Sequence, residues 1–210
     1  MTLWTFGDSF TENYQDHHEW SRNYIEFKGY TPKSYSQVMS EMLDCDLENH
    51  GGGGFDNYTI FETICENAEK FYPGDTIIVN WSDTLRFRLA GIDNRWGRFV
   101  PNNINFDTLP TKDVCQRTFE EIIVNREHHL YVDEVNKWIS LLNVMVRERF
   151  TMIHWTPFDL PTLEAYKFSI NETIKKETMG KVNDHHYNEK GQILLAGYLL
   201  GLLNNPKKLI

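Results

Sequence analysis

Cysteine is scarce. The 210-residue chain holds three, Cys45, Cys65 and Cys115, far apart and odd in number. No Cys-x-x-Cys pair occurs, which argues against a zinc knuckle or a dithiol redox motif. Free thiols in a reducing compartment are expected instead. Positive charge is also short, with 21 basic residues against 30 acidic ones and a formal charge of −9. A nucleic-acid partner needs a basic surface to displace counterions, and an anionic membrane attracts the same kind of surface. Neither partner is expected. Long apolar runs are missing too. The longest, Ile193 to Leu203, falls short of the ~18 or more residues of a spanning helix. The opening Met1-Thr2-Leu3-Trp4 lacks the basic start and apolar stretch of a secretory signal, so a cytoplasmic location is expected. No repeat, low-complexity tract or linker divides the chain, and its length suits one domain over 1–210.

What is present is ordinary for a globular core: 40% hydrophobic and 24% charged residues, with a high aromatic share of 14%. Leu3 to Phe6 is an apolar, aromatic-rich run that suits a buried strand. Glu12 to Pro32 has no clean period and reads as a short helix followed by an irregular loop. In Ser34 to Leu43, Tyr35, Val38, Met39 and Met42 recur at helical spacing, with Ser34 placed to cap. Cys45 to Asn49 reads as a second strand, and Asp56 or Asn57 caps a helix to about Phe71. Pro73-Gly74-Asp75 is a turn. Thr76 to Trp81 is the clearest strand, with the apolar character of one buried on both faces. Residues 84–110 lose periodicity and read as an insertion near the site. Thr111 to Arg149 predicts two helices broken near His128-His129. Phe150 to Thr156 predicts a strand, residues 158–183 are weakly patterned, and Asn188 to Leu203 predicts a final helix. Strands alternating with helices imply an α/β fold with a parallel sheet.

Three stretches carry chemistry. Gly7-Asp8-Ser9 follows the first strand, where Gly7 permits a sharp turn. In open α/β sheets that end of a strand is where ligands bind. A serine hydroxyl there needs a base to become a nucleophile. Asn183-Asp184-His185-His186-Tyr187-Asn188 precedes the last helix. A histidine on such a loop reaches a neighbouring strand end, and an acid two or three residues earlier can fix its tautomer. Asp184 lies two before His186. Gly51 to Gly54, between a strand and a helix, exposes backbone N–H groups that can meet a developing oxyanion.

Gly7-Asp8-Ser9, Gly54 and Asp184-x-His186, in that order along nearly the whole chain, resemble the SGNH (GDSL-like) hydrolase superfamily. His186-Tyr187-Asn188-Glu189-Lys190-Gly191 is similar to the family's His-Pro-Asn-x-x-Gly block. Gly54-Phe55-Asp56-Asn57 is similar to a variant of its Gly-x-Ser-Asn block. The resemblance implies a flavodoxin-like three-layer α/β/α sandwich around a parallel sheet, and ester hydrolysis without a cofactor. It implies Ser9 as nucleophile and oxyanion donor, Gly54 as second donor, His186 as general base and Asp184 as its orienter.

Two departures stand out. The family's third block places an asparagine in the oxyanion hole, whereas here the strand runs into Asn80-Trp81-Ser82-Asp83-Thr84-Leu85-Arg86. Thr84 takes the aligned position, with Ser82 or Asn80 close by; losing one such donor costs roughly 3–4 kcal/mol of transition-state stabilisation. The usual acid lies three before the histidine, a position held here by Asn183, so Asp184 represents a variant spacing. The distance to Gly191 favours His186 over His185.

Other features have plainer readings. The three His-His pairs (His17-His18, His128-His129, His185-His186) would need to converge with carboxylates to hold a metal. Adjacent histidines on a strand or helix diverge, so no metal is expected. Arg86, Arg88, Arg95 and Arg98 read more readily as a solvated loop than as an anion pocket, and Trp81 more readily as core than as a sugar platform. The expected activity is that of a serine esterase acting on a small-molecule or carbohydrate ester, with carbohydrate O-deacetylation a plausible task. An acyltransferase would use the same residues. The alternative is a catalytically weak structural or glycan-binding component. The Trp81-Ser82-x-x-x-Arg86 block is similar to that of phage-encoded members, which implies a virion-associated part. An oligomer or virion assembly is compatible with either reading.

Overall fold

The computed structural model describes residues 1–15, 17–84, 86–90, 96–99, 128–146, 149–168 and 186–205. The strands are β1 (Thr2–Gly7), β2 (Asp46–Gly51), β3 (Thr76–Asn80), β4 (Phe87–Ala90), β5 (Trp96–Phe99), β6 (Thr151–Thr156) and β7 (Tyr166–Lys167). The helices are α1 (Glu19–Lys28), α2 (Tyr35–Leu43), α3 (Asn57–Asn67), α4 (His128–Val146) and α5 (Glu189–Leu203), with a 3-10 turn at Ala68–Lys70.

Five strands form one sheet in the order β2-β1-β3-β6-β7, and every pairing is parallel. Counting only these five, the order is 2-1-3-4-5, that of flavodoxin-like doubly wound folds. Strand order reverses between β1 and β3, so the crevice at their C-terminal ends is the switch point where ligands bind in such sheets.

Alternation along the strands builds two cores. Leu3, Ile78, Ile153 and Trp155 face α2 and α5, meeting Tyr35, Met39, Leu195 and Leu199. Trp4, Phe6, Ile77, Val79 and Trp81 face α3 and α4, meeting Ile60, Ile64, Val135, Ile139 and Leu142. A sheet apolar on both faces must be covered on both, and the result is a three-layer α/β/α sandwich. Trp81 is fully buried, so it belongs to the core.

The helix starts follow local side-chain chemistry. Ser34 accepts from the Gln37 backbone N–H while the Gln37 side chain accepts from Ser34 N–H, a complete capping box. Asp56 caps α3 by accepting from Thr59 N–H at 2.7 Å, and Asn188 caps α5 by accepting from Gly191 N–H at 2.8 Å. The Pro73-Gly74-Asp75 turn also fixes β1. Asp75 accepts from Thr2 N–H, the Trp4 indole and Tyr72 N–H. Burial alone would raise this carboxyl, but those donors hold it below its ordinary range.

The structure departs from the sequence reading in several places. Within 84–110, β4 and β5 form an antiparallel pair that places Arg88 opposite Arg98. The two-residue β7 lies inside the weakly patterned 158–183 stretch. The two-helix reading of Thr111 to Arg149 is not among these departures: the described helix α4 spans His128–Val146, and residues 111–127 and Cys115 lie outside the described residues. Cys45 and Cys65 are free thiols. Among the described residues no helix is long and apolar enough to cross a membrane.

Candidate active site

Gly7 ends β1, and its role is space rather than an unusual backbone angle. A Cβ at this position would sit 2.3 Å from Thr11 Oγ1 and 2.6 Å from Asn80 Cβ. Only glycine lets the chain turn this close to β3. Thr11 N–H and Glu12 N–H both donate to the Asp8 carbonyl, at 2.9 and 3.1 Å. Ser9 and Phe10 are therefore the central residues of a closed turn, and Asp8 Oδ1 tightens it by accepting Phe10 N–H at 3.0 Å. Ser9 is 7% exposed.

Asp8 is fully buried and gathers four donors. Beside Phe10 N–H, its Oδ1 accepts from Asn80 Nδ2 at 2.8 Å. Its Oδ2 accepts from Ser82 Oγ at 2.8 Å and from Arg86 Nη1 at 2.6 Å. A buried carboxylate is tolerated only when paired and saturated with donors in this way. The network welds the Ser9 turn to the end of β3 and to the loop beyond it. Sequence reasoning missed it, although Ser82 and Arg86 belong to the Trp-Ser-x-x-x-Arg block. The signal available was an acidic residue fixed between Gly7 and Ser9, with an arginine near the end of a neighbouring strand.

The glycine turn lies against the same strand end. Gly52 N–H donates to the Gly7 carbonyl at 3.1 Å, and Phe55 N–H closes the turn on Gly52 O. Gly54 has φ 73°, in the left-handed region that favours glycine. Beyond it, Asn57 clasps Ser82 in both directions: its Oδ1 accepts Ser82 N–H at 2.7 Å and its Nδ2 donates to Ser82 O at 3.0 Å. Of the three positions suggested for a third oxyanion donor, Ser82 thus has its N–H turned to Asn57 and its hydroxyl to Asp8. Asn80 spends one amide hydrogen on Asp8. Thr84 is buried nearby.

The histidine segment reaches this corner from the far end of the chain. The His186 ring lies 5.1 Å from the Phe10 ring, and the Tyr187 ring lies 5.3 Å from it on an edge. Tyr14 Oη donates to Tyr187 O at 2.8 Å, and Tyr187 Oη donates to Phe168 O at 2.7 Å. Burial pushes the Tyr187 phenol well above its ordinary value, so it stays a neutral donor. His186 is partly buried beside the residue that follows Ser9. No hydrogen bond joins Ser9 to His186 among the described residues. Asn183, Asp184 and His185 lie outside them.

Another histidine, His154 on β6, is structural. The Trp81 indole N–H can only donate, so His154 Nδ1 accepts it at 3.2 Å. The ring proton then lies on Nε2, which donates to Asn143 Oδ1 at 3.2 Å. Burial holds the His154 pKa down at about 3, so the ring is neutral.

A three-layer sandwich with a tight, nearly buried serine turn at the switch point of a 2-1-3-4-5 sheet is the class these observations define. Solved structures that the chain resembles in overall path include G-D-S-L lipolytic proteins and esterases. One is a member of the lipolytic protein G-D-S-L family from Veillonella parvula, 14% identical, with a TM-score of 0.41 over 97% of this chain and 98% of that one. Another is the psychrotrophic esterase EstA from Pseudoalteromonas, 11% identical, with a TM-score of 0.44 over 97% and 99%. A third is a carbohydrate esterase whose active site displays divergent catalytic and non-catalytic binding functions. It is 12% identical, with a TM-score of 0.48 over 97% of this chain and 68% of that one. No protein-family model and no curated protein sequence matches the chain.

Proposed function

We propose that the chain is a serine ester hydrolase, with residues 1–210 acting as one domain. The observation that carries this reading is the docking of the His186 ring on Phe10, beside a serine held in a rigid turn. That contact supports a reading in which a hydroxyl and an imidazole from opposite ends of the sequence share the corner of the sheet where ligands bind in such folds. In this reading His186 takes the proton of Ser9 Oγ as the oxygen attacks the ester carbonyl carbon. The oxyanion is met by the N–H groups of Ser9 and Gly54. Thr84, at the aligned position, is taken as the third donor; both donors of Ser82 are turned to Asn57 and Asp8. His186 returns the proton to the departing alcohol, leaving an acyl group on Ser9. Water, deprotonated by the same ring, releases the acid and restores the serine. The orienting role falls to Asp184, as the resemblance to the SGNH family implies. Hydrogen bonds between such groups are commonly longer in substrate-free sites and tighten on binding. The formal charge of −9 suits neutral esters such as O-acetylated sugars.

The second reading, a glycan-binding component with little turnover, draws on the lack of a Ser9–His186 hydrogen bond. A fluorophosphonate probe separates the two, because it reacts only with an activated serine. Covalent labelling of the wild type and none of Ser9→Ala supports the hydrolase. Hydrolysis of p-nitrophenyl acetate should fall at least about 10³-fold in Ser9→Ala. Hydrolysis that persists there at the wild-type rate rules the mechanism out.

A further inference from the structure

Just past the Ser9 turn, three side chains converge in a way that sequence reasoning did not anticipate. The Nε2 atoms of His17 and His18 lie 3.6 and 3.1 Å from Glu12 Oε1. One ligand atom from each residue falls within 4.8 Å of the other two. Adjacent histidines diverge on a strand or helix, but these two occupy the turn that leads into α1, with His18 as the residue before it. Their ring centroids are 4.1 Å apart. Among the described residues this is the group of His, Cys, Asp and Glu side chains with metal-ligand spacing.

We propose that Glu12, His17 and His18 form a three-ligand site for a divalent cation of zinc type. Two imidazole nitrogens and one carboxylate are a known zinc donor set, with a fourth position left to solvent. Zinc–nitrogen bonds of roughly 2.0–2.1 Å in a tetrahedron put neighbouring ligand atoms about 3.4 Å apart. The observed 3.1 and 3.6 Å bracket that edge, so a cation needs only small adjustments.

A second observation comes from Glu12 itself. This side chain is 6% exposed. While its Oε1 faces the histidines, its Oε2 is buried with no hydrogen-bond partner among the described residues. A buried carboxylate oxygen without a donor is costly, and a cation compensates it directly. Gly53 leaves the space these groups occupy. A Cβ there would come within 2.9 Å of His18 Cε1 and Nε2, and within 3.2 Å of Glu12 Oε2. The backbone of Glu12 is pinned by its N–H to the Asp8 carbonyl, so the carboxylate is positioned before any ion arrives. The site clamps the loop before α1 against the Gly51–Gly54 turn. It stands whether or not Ser9 is a nucleophile.

The test uses the full chain, stripped with chelator and titrated with zinc chloride by calorimetry. One equivalent should bind with a Kd below roughly 10 μM. His17 is 58% exposed, so His17→Ala should fold normally, by circular dichroism, yet weaken binding at least about tenfold. Gly53→Ala should weaken it as well by crowding His18. His129→Ala and Cys65→Ala, at exposed positions elsewhere, should bind as the wild type does. Absence of stoichiometric binding in that range, equal affinity in His17→Ala, or loss of binding in either control variant would overturn the proposal.

Discussion

Replacing Asp8 with asparagine alters one atom and one charge at a point where four donors meet. In either orientation the new amide nitrogen faces two groups that were donating to the carboxylate. Turned one way, it meets Ser82 Oγ and Arg86 Nη1; turned the other, it meets Phe10 N–H and Asn80 Nδ2. Arg86 also loses its counter-charge while only 14% of its side chain is exposed. Breaking one partner of a buried, hydrogen-bonded pair costs about 3–5 kcal/mol. Two lost bonds to a charged acceptor, at about 1.5–3 kcal/mol each, give the same range. For a chain of this size that is a fall in melting temperature of roughly 6–20 °C. Urea denaturation of wild type, Asp8→Asn, Arg86→Met and the double variant measures it. The double variant should lose at least about 1 kcal/mol less than the sum of the singles, since the two groups act as a pair. A loss below about 1 kcal/mol in Asp8→Asn, or strictly additive losses, would refute this account of the turn.

Ser82→Ala removes a hydroxyl that faces Asp8, so it should lower stability by about 1–3 kcal/mol while leaving the proposed esterase turnover per folded molecule nearly intact. Thr84→Ala should lower turnover more than stability, and the reverse pattern in stopped-flow and melting data would sink the assignment of Thr84 as third donor. His154 should stay neutral through mild acid. Its folded pKa, near 3, lies below the unfolded value of about 6.5, so the unfolded chain takes up the proton first. The stability this neutral ring supplies is complete above pH 6.5 and is lost as pH falls from there toward 3, by about 2 kcal/mol at pH 5. A proton NMR titration that gives His154 a midpoint near 6.5 would contradict the buried tautomer.

Local chemistry was the legible part of this sequence. Ser34, Asp56 and Asn188 announce helix starts because a cap acts only a few residues ahead, and Leu3 to Phe6 and Thr76 to Asn80 are too apolar for any place but the middle of a sheet. Gly7-Asp8-Ser9 and His186 stood out by their positions at strand and helix ends. The donors to Asp8 did not, because Asn80, Ser82 and Arg86 reach it across more than seventy residues of chain and no short-range pattern reports such pairing. Strands β4 and β5 were hidden by composition: Phe87-Arg88-Leu89-Ala90 and Trp96-Gly97-Arg98-Phe99 carry arginines or glycine where a buried strand would carry β-branched residues. Strand β7 spans two residues, too few for any period. His17 and His18 were expected to diverge on the premise of regular backbone, and the turn they occupy brings them together with Glu12 instead.

Among the described residues, strand β2 closes one side of the main sheet, with β1 as its only neighbour there. An open margin of this kind offers unpaired peptide groups to any extended segment that drifts past. Asp46 and Glu48, both solvent-facing, stud that margin with negative charge, and a second copy of the strand would bring like against like. The acidic residues of this strand thus act as a guard, keeping separate copies from zipping together along their edges.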